Sequence, residues 1–348
     1  MQYNRIIDNK VAPTLAVLAI LISIAALTLT VLAPAARADE KSIELLNVSY
    51  DPTRELWRAL NEAFIPQYAK QAGTTVKINQ SHGGSGAQAR AIIDGLDADV
   101  ASLALWPDTD AIRKAGLIAN GWEQRLPNNS VAYTSTIVFV VRKGNPKGIK
   151  DWPDIAKPGV EIVTPSPKTS GNGKLSLLAA WGSVTQRGGT EEQAKEFITK
   201  LYKQAPVLDS GARGSTTTFA QKKIGDVHLT WENEAYPEVA ESGGALEIVY
   251  PPVSILAEPP LAVIDANVKR KGTRDAAEAY VKFLYTTEGQ EIIAKYHYRP
   301  IDPAVLKAAN FPEITRFPIT ALAKDWNAVT AKFFADGGVF DSIYAPGK

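Results

Sequence analysis

Four short stretches of this sequence combine small residues with residues that start helices: SYDPTREL (49–56), SHGGSGAQ (81–88), KTSGNGKL (168–175) and DSGARGST (209–216). Each follows a short apolar run and precedes residues at helical spacing. A turn of this kind presents free backbone N–H groups at a helix N-terminus, where the helix dipole adds about half a positive charge, and the natural ligand is an anion. The stretch 79–93, NQSHGGSGAQARAII, contains no lysine. An anion at the glycine turn itself would then meet neutral donors. Within it Gly83 and Gly84 allow close backbone approach, while Ser85 and Gln88 have the spacing of a capping box. In the first stretch Asp51 reads as an N-cap with Pro52 in the first helical position and Glu55 in the first turn. LTWENE (229–234) adds Trp231, either a core residue or an indole N–H presented at a strand end, a donor with no acceptor character.

Enzymatic readings of these residues fail on their spacing. GSGAQA (84–89) matches a loose dinucleotide pattern, but no acidic residue ends a second strand about twenty positions later. A nucleophile elbow would need a glycine where Ala87 stands, which leaves a secreted serine hydrolase using Ser85 as the alternative of another class. GNGKLS is not a phosphate-binding P-loop, because the first glycine is missing and Leu175 follows the lysine. The three histidines, His82, His228 and His297, read as surface or core residues, and no cluster has metal-ligand spacing. The expectation is a binding protein with no catalytic residue, no metal and no cofactor.

The elements that position these turns follow from the pattern around them. Strand, turn and helix alternate at ELLNVSYDPTRELWRALNEAF, TVKINQSHGGSGAQARAII, VEIVTPSPKTSGNGKLSLLAAW and PVLDSGARGSTTTFAQKK, which argues for parallel α/β sheets with ligands at the carboxyl ends of the strands. Two β-rich stretches, 133–146 and 251–265, are candidate crossings between lobes; the prolines of the second keep it out of a sheet centre. This organisation puts a first lobe at 39–138 and 256–348 and a second lobe at 139–255.

Residues 1–38 read as a signal peptide: Arg5 and Lys10 precede an apolar run from Thr14 to Ala33, and Ala36-Arg37-Ala38 ends in a small-x-small cleavage pattern. Cleavage after Ala38 would deliver the protein to the periplasm. An uncleaved anchor is the alternative, since the run approaches bilayer-spanning length. The 348 residues are 45% hydrophobic and 22% charged, as in soluble globular proteins, and loss of Arg5, Asp8, Lys10 and Arg37 takes the net charge from +1 to −1. Such a chain has no field for coating nucleic acid or an anionic membrane. It also lacks cysteine, and its only methionine is Met1, so the mature chain contains no sulfur. Avoidance of stray disulfides explains the missing cysteine but not the missing methionine, which packs cores well. The composition fits a protein made in quantity while sulfur is scarce.

In order along the chain, LLNVSYDPTREL, QSHGGSG, LPNNSVAYTSTIVFVVRKGNP, LDSGARGST, WENEA, SILAEPPLAVID and FLYTTEGQEI resemble the periplasmic sulfate-binding proteins of ABC importers. The resemblance covers essentially all of the mature chain. It implies an α/β, two-lobed type II binding-protein fold with the ligand cleft between the lobes. It also implies a dehydrated sulfate, or thiosulfate, held by backbone N–H groups of Asp51, Ser85, Gly171, Asn172 and Ala212, the hydroxyl of Ser170 and the indole N–H of Trp231. Another tetrahedral oxyanion such as molybdate is the alternative ligand. The implied partner is an inner-membrane ABC permease, with the binding protein a monomer. The family has Ser-Gly-Gly where this chain has Ser170-Gly171-Asn172, a change that keeps the backbone donor. A Ser85–Gln88 capping box would compete with the anion for the Ser85 N–H.

Overall fold

The alternating runs and capped turns fold into two main sheets and two short two-stranded pairs in a computed structural model that describes residues 42–344. The signal peptide read from residues 1–38 lies outside the described residues. In chain order the strands are β1 (Ile43–Tyr50), β2 (Val76–Gly83), β3 (Val100–Ser102), β4 (Tyr133–Thr134), β5 (Ile137–Arg142), β6 (Ile162–Pro165), β7 (Leu208–Asp209), β8 (Val227–Trp231), β9 (Leu246–Val249), β10 (Val253–Ile255), β11 (Leu261–Val263), β12 (Arg299–Pro300) and β13 (Thr315–Phe317). The helices that bear on the site are α1 (Arg54–Ala72), α2 (Ser85–Ile93), α3 (Trp106–Lys114), α4 (Gly171–Thr185), α5 (Glu191–Lys203), α6 (Ala212–Thr216), α7 (Glu232–Glu241) and α8 (Arg274–Phe283).

The first sheet has the order β11-β3-β1-β2. β1 pairs in parallel with β2 and β3, while β11 runs antiparallel to β3 at the edge. Apolar side chains cover both faces, as a parallel sheet requires. Leu45 packs with Trp57 and Phe64 of α1 and Tyr280 of α8, and Val48 packs on the opposite side with Ile92 of α2 and Ile112 of α3. The second sheet has the order β7-β6-β8-β5-β9. It departs from the all-parallel expectation: β6 pairs in parallel with β7 and β8, but β5 pairs antiparallel with β8 and β9. The reason is connectivity. β5 enters directly from the first lobe without a crossover helix, and only a crossover makes neighbouring strands parallel.

Two chain segments join the lobes side by side. Ser135 and Ala257 exchange two backbone hydrogen bonds of 3.0 Å, flanked by the β4–β12 and β10–β13 pairs. The C-terminal part of the chain divides between the lobes. Leu261 through Tyr298 contribute to the core of the first sheet. Phe317, Ile319, Val329, Phe333 and Phe340 instead join the core beneath α4 and α5, where Phe333 meets the Trp181 ring edge-on at 4.9 Å and Phe340 meets Tyr202 at 5.5 Å.

Candidate functional site

All seven residues singled out in the sequence line one small cavity: Asp51, Ser85, Ser170, Gly171, Asn172, Ala212 and Trp231. Tyr50, Pro52, Gly83, Gly84, Ala104 and Gly211 complete its wall. The cavity is narrow, with room for one compact occupant. It lies where β1, β2 and β8 end, at the carboxyl edges of both sheets.

The first lobe contributes two helix starts. A short 3-10 turn, Asp51–Thr53, runs from β1 into α1, with Tyr50 as its N-cap residue. Asp51 therefore does not cap by its side chain as the sequence suggested; it is the first residue of the turn, and its N–H is one of the unpaired donors of a helix start. The turn is buttressed from below. Thr53 Oγ donates to the Tyr50 carbonyl at 2.8 Å and lies 3.0 Å from Ser49 Oγ, which is 2.6 Å from His82 Nδ1. Desolvation, with Arg54 adding to it, lowers the His82 pKa to about 4, so this support is neutral at physiological pH. Burial raises the Asp51 carboxyl above its ordinary range, although Arg54 lies 3.7 Å away.

The second start corrects the capping-box expectation. β2 continues through Gly83, paired with Tyr50, so the glycine turn shrinks to Gly84, the N-cap of α2. Ser85 is the first helical residue and caps nothing. Its hydroxyl donates to Asp108 Oδ2 at 2.5 Å and accepts from the Ala104 N–H at 3.0 Å, while Gln88 turns to Ser81. The Ser85 N–H is thus left to the cavity. The hydroxyl is spent, and no histidine partners it. His82 is held by Ser49 and Gln80, His228 is buried against Glu238, and His297 stacks on Tyr236 at 3.9 Å.

The second lobe supplies the rest. Ser170 caps α4, its Oγ accepting from the Gly173 N–H at 3.4 Å, and Lys174 N–H goes to the Ser170 carbonyl at 3.0 Å. This leaves the N–H groups of Gly171 and Asn172 and the proton of the Ser170 hydroxyl for the cavity. Gly211 caps α6, placing Ala212 first in the helix. Trp231 ends β8 and is 1% exposed, with its ring 5.4 Å from that of Tyr50 across the cleft. Trp231 is thus a core residue, as one of its two readings had it, and it also lines the cavity wall, where the other reading would need it.

Glycines make the seam between the lobes. A Cβ on Gly171 would stand 2.7 Å from the Ala104 Cβ, one on Gly84 3.2 Å from the Thr169 carbonyl oxygen, and one on Gly211 3.4 Å from Asp51 Oδ2. Charge is kept to the rim and paired: Lys174 lies 3.8 Å from Asp108, and Arg213 bridges Glu55 at 2.8 Å and Glu234 at 2.9 Å. Among the described residues the cavity wall contains no lysine, arginine or histidine. Asp108, Thr53, Ser49, His82 and Lys174 were not legible as site residues, since each sits far in sequence from the group that it supports or pairs with, or beside it with no spacing signal.

Comparisons with known proteins agree with this architecture. Residues 55–299 match the family described as bacterial extracellular solute-binding protein. The chain is 51% identical over 306 residues to a thiosulfate-binding protein of Pseudomonas aeruginosa, covering 87% of this chain and 92% of that one. It is 51% identical over 319 residues to a sulfate-binding protein of Escherichia coli strain K12, covering 90% and 97%. The solved structure of the sulfate-binding protein SubI from Mycobacterium tuberculosis H37Rv superposes with a TM-score of 0.77 at 32% identity, over 84% of this chain and 99% of that one.

Proposed function

The chain belongs to the sulfate- and thiosulfate-binding family of bacterial extracellular solute-binding proteins, and we propose that it captures sulfate or thiosulfate in the cavity between its lobes. The donors in this reading are the N–H groups of Asp51, Ser85, Gly171, Asn172 and Ala212, the Ser170 hydroxyl and the Trp231 indole. The observation that carries it is a wall built of converging helix starts without a cationic side chain. Four such starts, at Asp51, Ser85, Gly171 and Ala212, offset much of a dianion's charge at about half a unit each. Hydrogen bonds to a charged group add roughly 1.5–3 kcal/mol apiece. The small volume favours a compact tetrahedral ion over a larger anion.

The same reading makes the protein a carrier and not an enzyme: it takes the anion up in the periplasm, after cleavage behind Ala38, and hands it as a monomer to an inner-membrane ABC permease. Lobes at 39–138 with 256–348 and at 139–255 would close about the paired segments around Ser135 and Ala257, with the stretch after Phe317 riding on the second lobe. Closure would bring the two halves of the donor set together.

Calorimetry on the mature protein with sulfate, thiosulfate, molybdate and phosphate tests the proposal. Sulfate or thiosulfate should bind most tightly. Phosphate near neutral pH keeps at least one P–OH, which a donor-rich wall leaves unpaired at about 1–3 kcal/mol. It should bind at least tenfold more weakly than sulfate. Equal affinities at pH 8 would overturn the donor-only reading.

A further inference from the structure

We propose that the side chain of Asn172 is a positioning residue that locks the second-lobe half of the anion site into shape before the ligand arrives. The inference rests on the cavity being an oxyanion site. Asn172 is the second residue of α4 and is 2% exposed. Its Nδ2 donates to the Leu229 carbonyl at 3.0 Å and to Ser176 Oγ at 3.2 Å, while its Oδ1 has no partner among the described residues. The buried amide is therefore held by its N–H end alone.

The place of Leu229 explains why this contact matters. On one edge of β8, pairing with β5 continues to Trp231, opposite Ile137. On the other edge, pairing with β6 stops at Val163 and His228, because β6 ends at Pro165 and the chain turns away toward α4. The last residues of β8 thus lose their neighbour on that edge two positions before Trp231. Asn172 supplies the missing donor there, and it does so from the helix start that also carries Gly171 and Ser170. One side chain therefore ties two independent contributors to the cavity, the start of α4 and the Trp231 end of β8. A glycine at this position would keep the backbone donor and lose the tie. A site assembled before binding loses less free energy in ordering its donors on capture.

The test compares wild type with Asn172→Ala, Asn172→Gly and Asn172→Asp. Four quantities are measured: sulfate affinity by calorimetry, dissociation rate by stopped flow, unliganded melting, and the indole N–H resonance of Trp231, assigned by its loss in Trp231→Phe. The alanine and glycine variants should bind sulfate about five- to tenfold more weakly, through faster dissociation. Their unliganded Trp231 resonance should shift or broaden. Asn172→Asp should be weaker still, since it turns a carboxylate toward the Leu229 carbonyl and removes the donor. Alanine is the control for backbone freedom, and it carries the test if the glycine variant fails to fold. A lowered melting temperature with wild-type affinity and an unchanged Trp231 resonance would reduce Asn172 to a packing residue and overturn the proposal. So would wild-type affinity in both the alanine and glycine variants. If wild type itself does not bind sulfate, the oxyanion reading falls, and an unperturbed indole resonance in the variants separately removes the tie.

Discussion

The two lobes meet the cavity with different chemistry. On the proposed reading the first lobe offers only main-chain donors, the N–H groups of Asp51 and Ser85, and its side chains brace the turns that carry them: Asp108 takes the Ser85 hydroxyl, and Thr53 takes the Tyr50 carbonyl. On the same reading the second would offer main-chain donors from α4 and α6 together with two side chains of the cavity wall, Ser170 and Trp231. Short of proline, which has no N–H, a substitution can misplace a backbone donor but not delete it. The second lobe should therefore be sensitive to changes in the donors themselves, and the first to changes in their supports.

The largest effect is expected at Trp231. Trp231→Phe removes an indole donor worth roughly 1.5–3 kcal/mol against a charged ligand, so affinity for sulfate should fall about ten- to a hundredfold. Because Trp231 is also buried in the apolar cluster, the unliganded melting temperature should fall as well. Affinity titrated on the folded fraction separates the two roles. Wild-type affinity there would remove the indole from the donor set and reduce the asymmetry between the lobes to the Ser170 hydroxyl.

Next is the seam itself. Gly171→Ala places a methyl group 2.7 Å from Ala104, which belongs to the other lobe. Overpacking of this kind costs about 1–3 kcal/mol and falls on the closed form, so sulfate should bind about ten- to a hundredfold more weakly, toward the lower end, while melting without ligand changes little. An equal loss of unliganded stability would mean that the lobes are just as close in the absence of an anion.

Asp108→Ala probes the first-lobe supports. It frees the Ser85 hydroxyl and unpairs Lys174, and about 0.5–1.5 kcal/mol of lost hydrogen bonding should weaken sulfate binding roughly three- to tenfold. No loss of affinity would show that the Ser85 N–H is held by the helix alone.

The last effect is one of pH, and it bears on stability without touching the proposed donors. Burial pushes the Glu234 carboxyl up to about 8 in spite of Arg213 beside it. A carboxyl whose folded pKa lies above its unfolded value favours the folded state below pH 4.5, and that contribution is lost as pH rises through about 8. Between pH 5 and pH 9 the unliganded wild type should lose more stability than Glu234→Gln. Parallel melting curves for the two proteins would place the titration elsewhere.

Much of the cavity wall was visible in the sequence because the helix starts that form it are local objects. A helix start is encoded within a few residues, and Ser170-Gly171, Gly211-Ala212 and the WENE segment each carry their own signal. Where the local code was ambiguous, the reading slipped by a residue or two. Ser85 and Gln88 have capping-box spacing, but β2 extends to Gly83 and moves the cap to Gly84, because pairing with Tyr50 outweighs a side-chain cap. Asp51 reads as a cap for the same local reason, and the chain arriving from β1 makes Tyr50 the cap instead.

Groups brought together from distant parts of the chain left no such trace. Asp108 reaches Ser85 across 23 positions, and the Asn172 amide reaches Leu229 across 57. Nothing in the spacing of either pair distinguishes a contact from a coincidence. The antiparallel half of the second sheet was hidden likewise, since it follows from β5 entering beside the paired segments at Ser135 and Ala257 and not from its own residues. Alternating runs and caps determine that there are two α/β layers with anion-seeking turns at their strand ends, because hydrophobic periodicity and capping act over a few residues. Folding alone decides which turns face one another, which side chain stands behind each donor, and that Gly171 meets Ala104 with no room for a methyl group, because those distances depend on how the two lobes pack.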